Sequence, residues 1–182
     1  MLPDPGASLG PNWKEFLREV DAYLEGPVEL HCLGGFVLGA VHGLARPTGD
    51  VDYIAAIPLR MVGELERIAG RDSKLARKHG LYFQYVTVAD VPDDYAERLT
   101  ELFAGQFICL RLFALEVHDI VLAKLVRNSP VDLEDAKFLA NAGKLDQRVL
   151  QERYEKELRP NLPNERRHDL TLRLWLEACF RD

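Results

Sequence analysis

Two aspartates, Asp50 and Asp52, flank a valine at the start of the run DVDYIAAI, whose β-branched and aromatic residues favour a strand. Residues i and i+2 of a strand point to the same face, so the two carboxylates converge. Two anions that close repel, and one takes up a proton unless a cation lies between them. A divalent ion suits that place, because Mg²⁺ favours one or two carboxylates plus substrate phosphates over an all-protein cage. The plain alternative is a solvent-facing edge strand, on which Asp-x-Asp costs little. Upstream, Gly34–Gly35 open an apolar helix. A helix start offers backbone N–H groups and a positive dipole end to a phosphate, and glycine lets a ligand approach the backbone. The alternative there is a strand-to-helix turn that needs an unusual φ.

Further along, Val117, Ile120, Val121 and Lys124 share one helical stripe, so the ammonium lies in line with apolar residues and must either reach outward or meet an anion. In SPVDLED, Ser129 is a helix cap, Pro130 fits the first helical position and Asp132 resembles the acidic partner of a capping box. Capping thus accounts for Asp132. It does not account for Asp135, nearly a turn deeper on the face of Leu139, which makes Asp135 the better functional candidate. Between 60 and 78 the basic residues Arg60, Arg67, Arg71, Lys74, Arg77 and Lys78 outnumber the acids. They form either a solvated helix face or a landing strip for an anionic substrate.

These residues need elements to carry them. Trp13, Phe16, Leu17, Val20 and Leu24 recur at helical spacing over 11–25, PVELHCL over 27–33 reads as a strand, and 35–45 as a buried helix. Gly35, Gly39 and Gly43 lie on one side of that helix and imply the close approach of a strand backbone. A strand over 50–57, one broken or two short helices over 59–80, and a strand over 81–88 follow. Next come a turn and short helix over 91–103 and one or two strands over 107–115. Helices alone are expected from Glu116 onward. The pattern predicts an α+β fold, a mixed sheet flanked by helices in residues 1–115 with a helical C-terminal part, 116–182, packed on it as one structural unit.

Composition sets outer limits. A chain of 182 residues with 47% apolar and 29% charged residues is of ordinary globular type. Its net charge of −6 disfavours general nucleic-acid binding. No apolar run approaches the roughly 20 residues that span a bilayer, and MLPDPGASLGPNW lacks the pattern of a signal peptide. Three dispersed cysteines, Cys32, Cys109 and Cys179, suit reduced thiols in a cytoplasm. A cytoplasmic chain without a membrane partner is expected.

The order Gly34-Gly35, then Arg46-Pro47-Thr48-Gly49-Asp50-Val51-Asp52, resembles the signature of the nucleotidyltransferase superfamily. The later segment LAKLVRNSPVDLEDAKFLA looks like the downstream Lys and Asp motifs of its abortive-infection, toxin-type members, so the resemblance spans roughly residues 28 to 140. It implies that Asp50 and Asp52 hold Mg²⁺, that Gly34 and Gly35 offer backbone to a nucleoside triphosphate, that Lys124 neutralises phosphate charge, and that Asp135 completes the site. The implied reaction moves a nucleoside monophosphate to a hydroxyl of an RNA, a protein or a small molecule, as a component of toxin–antitoxin type. Many members carry a third carboxylate within a neighbouring strand, and LYFQYVTV and LRLFAL have none. A second reading therefore stands beside the first: a catalytically silent interaction module that keeps the fold and serves a protein partner.

Overall fold

The computed structural model describes residues 11–180. The stretch 1–10, which carries most of the segment read above against a signal peptide, lies outside the described residues. The chain divides into two compact units, 11–88 with 99–115, and 89–98 with 116–180. The fold is α+β, with a five-stranded mixed sheet, flanking helices and a helical C-terminal region.

The first unit contains α1 (Pro11–Tyr23), β1 (Val28–Leu33), α2 (Gly34–His42), β2 (Asp50–Ile57), α3 (Met61–Ala69), α4 (Lys74–His79), β3 (Tyr82–Tyr85), β4 (Thr100–Leu102) and β5 (Leu110–Ala114). The strand order is β3-β2-β1-β5-β4. β1 runs antiparallel to β2 and parallel to β5, and β3 runs parallel to β2 on the outer edge. One sheet face is packed with aromatic rings: Phe16 of α1 stacks on Phe83 at 5.7 Å and Tyr53 meets Phe83 edge-on at 6.3 Å.

A bulge in β2 decides which residues look the other way. His31 pairs with Ala55 and Cys32 with Tyr53, so Ile54 is an extra residue that shifts the alternation. Before the bulge Val51 and Tyr53 point into the core and Asp50 and Asp52 away from it; after it, Ala56 points in. The same register sets Leu33 opposite Asp52. The next residue, Gly34, turns into α2 at φ +79°.

Three expectations are corrected. The helix after Gly34 ends at His42, and Gly43 is its left-handed C-cap, not part of a bare stripe. A Cβ built at Gly39 would meet the Leu44 carbonyl at 3.6 Å, which belongs to a loop and not to a strand. The strand expected over 81–88 pairs only over Tyr82–Tyr85, and the Val86 N–H closes the ladder on the Tyr53 carbonyl just before the bulge. A three-residue strand, β4, replaces the end of the helix expected over 91–103, because pairing with β5 satisfies its backbone where so short a run has no pattern of its own.

The second unit contains a 3₁₀ turn (Tyr95–Arg98), α5 (Val117–Arg127), α6 (Pro130–Asn141), α7 (Gln147–Arg153) continued by a π turn (Tyr154–Leu158), and α8 (Glu165–Phe180). Asp119 is fully buried and joins three of its segments. It accepts from Arg98 Nε at 2.9 Å and Nη2 at 3.1 Å, and from Arg153 Nη1 at 2.9 Å. Arg98 reaches on to Glu157 at 2.7 Å. No helix among the described residues is long and apolar enough to cross a membrane.

Removing one member of a buried ion cluster strands its partners, at about 3–5 kcal/mol. Glu116 and Glu157 still face the two guanidinium groups, so Asp119→Ala is expected to lower the unfolding free energy by about 3 kcal/mol, the lower end. Urea denaturation measures this, and a loss below about 1 kcal/mol would show the cluster to be dispensable.

Candidate functional site

The first unit assembles its polar face around Asp50 and Asp52, both half-buried. Gly34 is required by its neighbour as well as by its φ, since a Cβ there would stand 2.7 Å from Asp52 Oδ2. At Gly35 a Cβ would stand 3.2 Å from Thr48 Oγ1 and 3.9 Å from an Arg46 nitrogen. The segment Arg46-Pro47-Thr48 thus lies over the first turn of α2. Leu33, the residue before that turn, gives it no side-chain cap. Thr48 Oγ1 donates to Asp50 Oδ1 at 2.7 Å, and Tyr82 of the adjacent strand donates its hydroxyl to Asp50 Oδ2 at 3.4 Å. Arg71 Nη2 in turn donates to the Tyr82 oxygen at 2.7 Å.

Asp50 therefore receives two hydroxyls and, among the described residues, no cation. No three His, Cys, Asp or Glu side chains among them cluster as a metal cage. The donor set still fits Mg²⁺: two carboxylates from one strand are what that ion takes when phosphate oxygens complete its shell. The uncapped, glycine-lined start of α2 beside them suits such a phosphate. β3 brings Tyr82 opposite Asp50 and Gln84 opposite Asp52, so the adjacent strand presents neutral groups and no third carboxylate.

In the second unit Lys124 meets anions and does not reach outward. It is buried, at 4% exposure, and Nζ donates to Asp135 Oδ2 at 2.8 Å and to Asp132 Oδ1 at 3.1 Å. Asp132 forms the expected capping box, accepting from the Ser129 N–H at 3.1 Å while Ser129 Oγ accepts from the Asp132 N–H at 3.2 Å. Capping is only part of its work, which corrects the sequence reading: Asp132 also binds Lys124 and, at 2.9 Å, Arg127 Nε. Asp50, Asp52, Gly34 and Gly35 thus gather in the first unit, and Lys124, Asp132 and Asp135 in the second.

The family model described as "Nucleotidyltransferase of unknown function (DUF6036)" matches residues 14–179, nearly the whole described chain. The chain belongs to that nucleotidyltransferase family. No curated protein and no solved structure matches it. The sequence reading missed Tyr82 as a member of this polar face, and it placed Arg71 only within the basic stretch. The period-2 alternation of YFQY sets Tyr82 and Gln84 on one face, but only the β2–β3 register puts that face beside Asp50. The basic stretch is also divided. Arg71 joins Tyr82, Arg77 donates to the Asp72 carbonyl at 2.6 Å, and Lys78 pairs with Glu19 of α1.

Burial pushes the Asp132 carboxyl up, but hydrogen bonds from Arg127 and Ser129 and the Lys124 charge outweigh it and hold it well below the usual carboxylate range. Burial likewise raises Glu116, and His118 and Arg153 bring it down to about 2. A carboxyl whose folded pKa is depressed contributes stability above its unfolded pKa and loses it as pH falls. The protein should thus be stable at neutral pH and weaken as pH drops below about 4. Asp132→Asn should cost about 3–5 kcal/mol at pH 7, well above the ~1 kcal/mol of a lost cap. It should also flatten the fall in melting temperature between pH 5 and pH 2. Melting curves across that range check both; an acid slope equal to the parent's would remove Asp132 from the account.

Proposed function

We propose that this chain is a metal-dependent nucleotidyltransferase that moves a nucleoside monophosphate from a nucleoside triphosphate to a hydroxyl acceptor. The observation that carries the reading is Asp50: a half-buried carboxylate beside a second one, held by hydroxyls and left without a cation of the protein's own among the described residues. Asp50 and Asp52 would hold Mg²⁺, which supplies charge neutralisation to the triphosphate. The Gly34–Gly35 backbone would receive phosphate oxygens at the start of α2. Thr48 keeps the Asp50 carboxylate in a fixed plane. The acceptor oxygen bonds to the α-phosphorus, the bond from that phosphorus to the β-phosphate oxygen breaks, pyrophosphate leaves, and the hydroxyl proton passes to solvent. Reactions of this kind rest mostly on positioning and charge.

Lys124 and Asp135 enter the proposal as a pair, since each already answers the other's charge at 2.8 Å. Within the second unit, Asp135 would fix where the Lys124 ammonium stands. The acceptor is an RNA, a protein or a small molecule, and Arg71 is the basic-stretch residue tied to the Asp50 face. A toxin-type role with a cognate protein partner fits the same reading. The neutral Tyr82 and Gln84, where the neighbouring strand lacks a carboxylate, favour one rival: a silent module that binds without transfer.

Ligand that binds only the folded state stabilises it by about 2.7 kcal/mol at a hundredfold excess over Kd. A rise in melting temperature of a few degrees is expected with Mg²⁺ and one of the four common triphosphates together. It should be abolished in Asp50→Asn/Asp52→Asn, whose ligand-free melting stays near or above the parent's. Transfer of label from an α-labelled triphosphate, with release of pyrophosphate, should follow the same dependence. A melting shift with no pyrophosphate released over any acceptor fraction would establish the silent module, and no shift with any triphosphate would remove the nucleotide reading.

A further inference from the structure

We propose that Tyr82, held by Arg71, is a positioning residue that orients Asp50 and keeps its charge available to a divalent cation. The proposal rests on the nucleotidyltransferase reading above and assigns to it two residues outside its signature. The β2–β3 register sets Tyr82 beside Asp50, and the proton order along the line is fixed. Arg71 donates to the phenolic oxygen at 2.7 Å, so the phenol's own proton is directed to Asp50 Oδ2 at 3.4 Å. Donors in such a chain polarise one another, which strengthens a bond that is long by itself.

The order matters because of what it prevents. A guanidinium resting directly on a carboxylate makes a charge-assisted, often bidentate pair. Such a pair takes up the carboxylate's lone pairs and cancels the charge a metal needs. Here Arg71 ends on the phenol, with its guanidinium carbon 5.0 Å from the centre of the same ring. Its positive field reaches Asp50, but its N–H groups do not. An ionised carboxylate has about four acceptor positions, and Thr48 and Tyr82 take one on each oxygen. The remaining capacity stays open to a cation. Elsewhere in the chain the opposite arrangement holds: Asp119, Asp132 and Asp135 each receive a guanidinium or ammonium directly. Packing alone asks only for an aromatic ring at this half-buried edge position, so the hydroxyl is the part that needs a reason.

The test is a Mg²⁺ titration at fixed triphosphate, read as melting temperature, on the parent chain, Tyr82→Phe, Arg71→Leu and the double variant. Partners of metal ligands commonly govern affinity by 10–100-fold. Tyr82→Phe is expected to leave ligand-free melting unchanged and to raise the half-maximal Mg²⁺ concentration about tenfold. Arg71→Leu should do the same, and the double variant should be no worse than either, because both act through one hydroxyl. Arg71→Lys, which keeps a charged donor, should recover part of the loss. A Tyr82→Phe titration that superimposes on the parent's overturns the proposal while leaving the nucleotide reading intact. Multiplying effects in the double variant also overturn it, since Arg71 would then act on its own. A parent chain that gives no Mg²⁺-dependent shift overturns both. Should Tyr82→Phe fail to fold, Arg71→Leu at its exposed position takes its place: a tenfold rise supports the proposal, and a curve that superimposes on the parent's overturns it.

Discussion

Two carboxylates on one face of one strand are the constraint around which the first unit is built. Charges about 7 Å apart, the spacing of i and i+2 in a strand, repel by roughly 2 kcal/mol at an effective dielectric of 20. Half-burial of Asp50 and Asp52 adds desolvation to that repulsion. The surrounding geometry is arranged around both aspartates. The bulge at Ile54 lets Val51, Tyr53 and Ala56 all face the core while both aspartates face away from it. Gly34 yields its side-chain space to Asp52, and Gly35 yields its own to Thr48, which then holds Asp50.

The two units treat buried acid in opposite ways. In the second, each buried carboxylate is answered by a cation of the chain: Asp119 by Arg98 and Arg153, Asp132 by Arg127 and Lys124, Asp135 by Lys124. At Asp132 that arrangement ties stability to carboxylate ionisation. In the first, Asp50 is oriented by hydroxyls, with the nearby guanidinium of Arg71 held one residue off. Full internal neutralisation would be the more stable solution, and sites that act on charged substrates are commonly kept short of it. The difference between Asp50 and Asp132 separates a candidate working carboxylate from a structural one.

Most of this architecture was legible in the sequence because it rests on local signals. The β-branched and aromatic residues of DVDYIAAI marked β2 to its terminal residues, Ser129-Pro130 marked the start of α6, and Gly34-Gly35 marked the strand-to-helix turn. What was missed depends on pairing between distant segments. β4 exists only because β5 lies beside it, and the bulge needs the β1–β2 register. The glycine stripe misled because Gly43 ends its helix, a role that spacing alone does not separate from packing. Asp132 was half-read: its capping pattern is local, whereas its bonds to Lys124 and Arg127 require α5 and α6 to fold against each other. Tyr82 and Arg71 carried no motif, and they gain meaning only from β3 lying parallel to β2.

The central claim is that Asp50 and Asp52 form a seat for a divalent cation, and Mn²⁺ reports on it directly. Titrating the protein with Mn²⁺ in the presence of a nucleoside triphosphate, and following the free ion by electron paramagnetic resonance, counts bound ions without requiring turnover. The account expects protein-dependent Mn²⁺ binding beyond that of the nucleotide alone, displaced by Mg²⁺ and lost in Asp50→Asn/Asp52→Asn. It expects the binding to survive in Glu134→Ala, which removes an exposed carboxylate elsewhere. Binding that is equal in the parent and the double Asn variant would contradict it.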